Sequence, residues 1–213
     1  MNEIVHPLAE AYASLMSSPE NDLLKQVETE TRLNHPHAHM LSGHVQGRLL
    51  ALLSKMIQPE RILEIGTFTG YSALCLCEGL KPGGELHTIE SRAEDAATAR
   101  AYFDQSEYTD QIRLHIADAH QVIPQLDLEW DIVFIDADKT SYIDYYQLCL
   151  PRLNKNGIII ADNVLFHGQV LEETVSGKNA KAIQAFNEHV KNDPQVEPVL
   201  LTVRDGLLII RKR

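Results

Sequence analysis

Apolar residues recur at helical spacing through the first quarter of the chain, and short apolar runs alternating with helical stretches follow. Residues 8–16 and 21–32 carry the 3.6-residue period, and 43–57 carries it more strongly through Val45, Leu49, Leu50, Leu52, Leu53 and Met56. Between them the run NHPHAHM at 34–40 predicts a loop by its Asn and Pro. From residue 61 the pattern predicts strands at 61–65, 85–89, 112–116, 131–135 and 157–161. Helices are predicted at 71–80, 93–103, about 141–150 and 178–190. Two last strands, 199–203 and 207–211, flank Asp205 and Gly206, a hairpin signal.

Strands alternating with helices imply an α/β fold with a doubly wound, mostly parallel sheet covered on both faces. The closing hairpin adds one antiparallel strand. The 213 residues suit one domain, divided into N-terminal helices (1–57) and a ligand-binding core (58–213). Hydrophobic residues make up 44% of the chain, enough to bury a core. The formal net charge of −11 counts against broad binding to nucleic-acid phosphates or an anionic membrane, and leaves room only for a local basic patch such as Arg211, Lys212 and Arg213. Cys75, Cys77 and Cys149 are too few and too oddly spaced for a disulfide framework. The stretch from Met1 to Glu10 lacks a basic start and an apolar leader, and no run is long enough to span a bilayer. The expectation is a reduced, cytoplasmic, soluble protein.

In such sheets ligands bind beyond the carboxyl ends of the strands. After the first strand, Gly66 and Gly70 bracket a tight turn into a helix, where backbone can approach a carboxylate or phosphate. The spacing is not the G-x-G-x-x-G of dinucleotide sites. Glu90 ends the second strand, where an acidic residue accepts ribose hydroxyls; Asp118 follows the third and could accept an adenine amino group. Together these specify an adenosine-containing ligand. The fourth strand ends in Asp136 and the fifth in Asp162 and Asn163. Two adjacent strands thus deliver an all-oxygen donor set, which suits Mg²⁺, Mn²⁺ or Ca²⁺. Lys139, three residues beyond Asp136, could act as a base beside such a cation or pair with Asp138 at the surface. His35, His37 and His39 lie in an irregular loop without a helical i, i+4 pair, so no second metal site is expected there.

Five motifs in order resemble the caffeoyl-CoA O-methyltransferase-like family, itself similar to catechol O-methyltransferase. They are QGRLL at 46–50, LEIGTFTGYS at 63–72, FIDADK at 134–139, ADNV at 161–164 and Asp205-Gly206, within a similarity from about Met40 to Lys212. The resemblance implies a seven-stranded class I methyltransferase fold and S-adenosylmethionine as methyl donor. It implies that Glu64, Gly66, Thr67, Phe68 and Ser72 surround the donor's methionine part, that Glu90 holds the ribose, and that Asp118 and Ala119 flank the adenine. Asp136, Asp162 and Asn163 would bind the metal, Lys139 would be the base, and Met40 would lie near the transferred methyl. It further implies a homodimer and a small hydroxylated acceptor, in the first instance a vicinal-dihydroxy aromatic. Two departures bear on the acceptor: Phe166 stands where the family often has Trp, and Leu208 where the catechol enzyme has a Glu that orients the second hydroxyl. The alternatives are methylation of 5-hydroxyuridine in tRNA, an NAD(P)-dependent oxidoreductase, and a non-enzymatic binding module on the same scaffold.

Overall fold

The computed structural model describes residues 4–213; Met1, Asn2 and Glu3, read above as part of a leaderless start, lie outside it. Three helices precede the sheet: α1 (Pro7–Met16), α2 (Asp22–Asn34) and α3 (His44–Ile57). Asn21 caps α2 by accepting from the Leu24 N–H at 2.8 Å, satisfying a donor the helix start would otherwise leave free. One stripe of α2, Leu24, Val27 and Thr31, is buried. In α3 the buried stripe is Gln46, Gly47, Leu50, Ala51 and Ser54, whereas Leu52 and Met56, counted in the apolar pattern, are 55% and 73% exposed. Packing selects that face because Gly47 admits the Tyr71 ring and Cys75; a Cβ on residue 47 would meet the ring at 2.7 Å.

The sheet has seven strands: β1 (Arg61–Ile65), β2 (Glu85–Glu90), β3 (Ile112–Ile116), β4 (Trp130–Ile135), β5 (Leu153–Asp162), β6 (Val196–Leu201) and β7 (Leu207–Lys212). Their order is β3-β2-β1-β4-β5-β7-β6. All neighbours pair in parallel except β7, which is antiparallel to both β5 and β6. The helices α4 (Tyr71–Cys77), α5 (Ala93–Phe103), α6 (Ala119–Val122), α7 (Tyr142–Cys149) and α8 (Lys178–Lys191) complete the layers. Alternate strand residues feed two cores. Ile62, Phe134 and Ile160 pack with residues of α3, α4 and α5, while Leu63, Val133 and Ile159 pack with residues of α7 and α8. Burial on both faces is why the central strands read as continuous apolar runs.

The differences from the sequence reading have local causes. The helix expected over 71–80 stops at Cys77, and β5 starts four residues early, at Leu153, beside a register irregularity opposite Trp130 and Ile132. β6 lies three residues before its predicted place. The connection to β7 takes five residues, with Arg204 at φ +48° and Gly206 at φ +87°, so Leu201 pairs with Leu207. Pro198 is tolerated because β6 is an edge strand. The short α6 and the 3-10 stretch Phe166–Leu171 were not expected. The strand order switches sense between β1 and β4, which puts a crevice at their carboxyl ends. Among the described residues no helix is long and apolar enough to cross a membrane.

Candidate active site

A cavity of about 660 Å³ lies across those carboxyl ends, and residues following β1, β2, β3, β4 and β5 line it. Gly66 fixes its floor. At φ +102° its missing Cβ would stand 2.0 Å from the Asp136 carbonyl oxygen, so only glycine lets β1 and β4 close together here. The Asp136 N–H donates to the Ile65 carbonyl at 2.9 Å and zips the two tips. Gly70, also left-handed at φ +87°, starts α4.

Glu64 is fully buried in β1 and accepts from the Ser72 hydroxyl at 2.6 Å and the Thr88 hydroxyl at 2.5 Å. Burial, with Asp136 and Glu90 nearby, pushes its carboxyl up to about 8, against the opposing pull of the two hydroxyls. Thr67, also buried, meets the Thr88 hydroxyl at 2.5 Å. Glu90 accepts from the Phe68 N–H at 2.8 Å through one oxygen and from the Arg92 N–H at 2.9 Å through the other. Each oxygen keeps a lone pair for a ligand hydroxyl. Asp118 is exposed and accepts from the His120 N–H at 2.8 Å, so it caps α6 while also lining the cavity beside Ala119. The structure thus joins both readings of Asp118, the turn residue and the pocket residue.

At the acidic tip, Lys139 Nζ donates to Asp136 Oδ1 at 3.0 Å, Asn163 Oδ1 at 2.8 Å and the Tyr142 hydroxyl at 2.7 Å. Asn163 reaches this point from a left-handed backbone, φ +56°. Asp162 is buried; its carboxylate accepts from Gln46 Nε2 at 2.7 Å and from the Asn163 N–H at 2.6 Å. Burial and the neighbouring Asp136 raise its pKa. Burial alone would lower the Lys139 ammonium, but Tyr142, Asp136 and Asp162 outweigh it and hold the amine above its ordinary value. The surface pairing with Asp138 is not formed; Asp138 accepts from the Tyr145 hydroxyl at 2.7 Å instead.

In the histidine loop, His35 bonds Asp95 at 2.9 Å and sets its ring edge-on to Phe68 at 4.6 Å, while its other nitrogen accepts from the His37 N–H. Both nitrogens are used, and the loop is tied to the turn after β1. Met40, 42% exposed, lines the opposite side of the cavity with His39, Phe166, His167 and Arg204. Leu208 belongs to the core and not to this lining. The sequence reading assigned no role to Gln46, Thr88, Tyr142 or Arg204. Gln46 was legible as a polar residue amid an apolar helix, and Tyr142 as a residue one turn beyond Lys139. Thr88 and Arg204 carried no signal without the fold.

A family model described as O-methyltransferase matches residues 14–213. The chain is 32% identical over 206 residues to catechol O-methyltransferase domain-containing protein 1 of Mus musculus, covering 94% of this chain and 78% of that protein. It is 35% identical over 161 residues to a catechol O-methyltransferase of Niastella koreensis, covering 73% of this chain and 72% of that one. A crystal structure of a SAH-bound methyltransferase from Podospora anserina matches with a TM-score of 0.91 at 30% identity, over 100% of this chain and 97% of that one.

Proposed function

The chain belongs to the O-methyltransferase family, and on that premise we propose that it transfers a methyl group from S-adenosylmethionine to a hydroxyl of a small vicinal-dihydroxy aromatic acceptor, with a divalent cation held by Asp136, Asp162 and Asn163. One observation carries the reading: oxygens from two adjacent strand tips converge at the end of the cavity, where Asp136 and Asn163 both contact a single cationic atom, Lys139 Nζ, at 3.0 and 2.8 Å. An all-oxygen set of two carboxylates and an amide, one carboxylate fully buried, fits a hard cation.

When bound, S-adenosylmethionine supplies the methyl and Mg²⁺, Mn²⁺ or Ca²⁺ acidifies the acceptor hydroxyl. The donor's fit rests on Glu64 and Ser72 for its methionine part, on Gly66, Thr67 and Phe68 for close backbone approach, on Glu90 for the ribose, and on Asp118 and Ala119 for the adenine. The carboxylates of Glu90 and Asp136, both in the cavity lining, favour a cationic donor over a neutral one. Met40 borders the reacting centre. Lys139 is the proton acceptor. Its ammonium is held by Asp136 and Asp162, so it releases a proton only when that negative field is neutralised. Tyr142, which donates to the Asp162 carbonyl at 2.9 Å, fixes the amine's position. The main contribution to rate is alignment of oxygen, methyl and sulfur.

The same reading includes a homodimer and a cytoplasmic location. For the first, Leu8, Tyr12, Leu15 and Met16 of α1 and Leu52 and Met56 of α3 are all more than half exposed. For the second, all three cysteines are free and buried. Against tRNA as acceptor, the C-terminal basic residues are engaged internally: Arg211 pairs with Glu197 at 2.8 Å, and Arg213 lies 3.7 Å from the same side chain. Titration of S-adenosylmethionine into the protein by calorimetry, with Mg²⁺ and with chelator, tests the donor; saturable binding is expected in both. No binding in either would remove S-adenosylmethionine from the reading.

A further inference from the structure

Arg204 stands in the connection between β6 and β7 and lines the same cavity as Asp136, Lys139, Asn163 and Met40. Its backbone is left-handed, φ +48°, a region that long side chains adopt only when something holds them there. The side chain is fixed through one nitrogen: Nη1 donates to the Ser42 carbonyl and, at 3.4 Å, to Gln46 Oε1. Among the described residues no carboxylate lies within ion-pair distance of the guanidinium, and neither Nη2 nor Nε makes a hydrogen bond to protein. The adjacent Asp205, which also lines the cavity, accepts from the His167 N–H at 2.5 Å. Through Gln46, whose Nε2 donates to Asp162 at 2.7 Å, the guanidinium is set at a fixed remove from the acidic tip.

We propose that Arg204 selects an acceptor that carries a carboxylate on the side of its ring away from the reacting hydroxyls. This rests on the methyltransferase reading above and names the class of acceptor. A guanidinium with two free donor nitrogens matches a carboxylate in planar, two-point geometry. Charge gives the orientation. Glu90, Asp136 and Asp138 line the cavity and repel an anion, while its other cations are engaged, Lys139 by Asp136 and Asn163 and Arg92 by Asp95, so Arg204 is where a carboxylate is best received, and the hydroxyls then face Asp136, Asn163 and Lys139. With Leu208 in the core, no acidic side chain from the start of β7 opposes the anion.

The test compares protocatechuic acid with its amide, equal in size and different in charge, in the wild type, R204G and R204K. Glycine accepts φ +48° without strain, so R204G removes the charge and keeps the loop. The wild type is expected to prefer the acid by roughly ten- to a hundredfold in kcat/KM, mostly through KM. R204G should lower the acid far more than the amide, and R204K should restore part of the preference. Calorimetric titration of veratric acid, which has no hydroxyl to methylate, into protein with S-adenosylhomocysteine gives a readout free of turnover; its affinity should fall in R204G and recover partly in R204K. Equal use of acid and amide by the wild type, or equal loss of both in R204G without rescue by lysine, would overturn the proposal and leave Arg204 a loop tie. Displacement of veratric acid by bulk tRNA in the wild type would overturn it in favour of a polyphosphate. Failure of S-adenosylmethionine to bind would instead sink the underlying reading, while titration of veratric acid into the protein alone would still report on Arg204.

Discussion

Where the cavity meets β1 and β2, its polar groups are buried and partnered; on the side of His39, His167, Arg204 and Asp205 they are partly or fully exposed and carried on irregular backbone. On the first side Glu64, Thr67, Thr88 and Glu90 hold one another or nearby N–H groups at 2.5–2.9 Å. On the second side Phe166, His167 and Arg204 all take left-handed backbone conformations, and Arg204 keeps most of its guanidinium unpaired. The rigid side stands on strand ends shared with the core, so it tolerates little change. The irregular side can vary its side chains without disturbing the sheet, which is where acceptor selection belongs.

The sharpest way to break this contrast is at its boundary, the acidic tip. Asp136→Ala should bring cation-dependent transfer down to background, measured as initial rate with Mg²⁺ against chelator; normal activity in that variant would refute the metal assignment. Next in size is Gly66→Ala, which forces a Cβ against the Asp136 carbonyl and strains a φ of +102°. It should cost about 2–4 kcal/mol in denaturant unfolding and abolish donor binding.

Glu64→Gln sharpens the account of the rigid side in two ways. Loss of the carboxylate should weaken S-adenosylmethionine binding by about tenfold. It should also change the pH dependence of stability. The folded-state value of about 8 lies above the ordinary 4.5, so the native protein holds this proton more tightly than the unfolded chain. Its contribution is full below pH 4.5 and is lost as pH rises through about 8. In Glu64→Gln the unfolding midpoint should fall less steeply over that window; an unchanged slope would show that Glu64 titrates normally. The smallest effect belongs to the irregular side. Phe166→Ala, at a half-buried position, should raise the acceptor KM by about two- to fivefold and leave donor affinity within error.

The same contrast decided what could be read in the sequence. The central strands were legible because burial on both faces demands continuous apolar residues, and the acidic tip because strand alternation alone brings Asp136 beside Asp162 and Asn163. Glu64 was placed only by resemblance, since one acidic residue in an apolar run does not announce that Ser72 and Thr88 will satisfy it. The stripe of α3 that is buried was misjudged because its apolar residues wrap more than one face, and the small Gly47 chose among them. β6 was misplaced because Thr202 and Val203, two of the five residues that connect it to β7, read as strand. Arg204 itself is ordinary in sequence; its meaning comes from φ, from Ser42 and from the carboxylates that stay away.

The most direct test of the central claim is the rate of methyl transfer from S-adenosylmethionine to a vicinal-dihydroxy aromatic acid before chelation, after chelation and after Mg²⁺ is restored. The site described here predicts that transfer is lost with chelator and returns with the ion. Transfer that persists undiminished in chelator would contradict the role given to Asp136, Asp162 and Asn163.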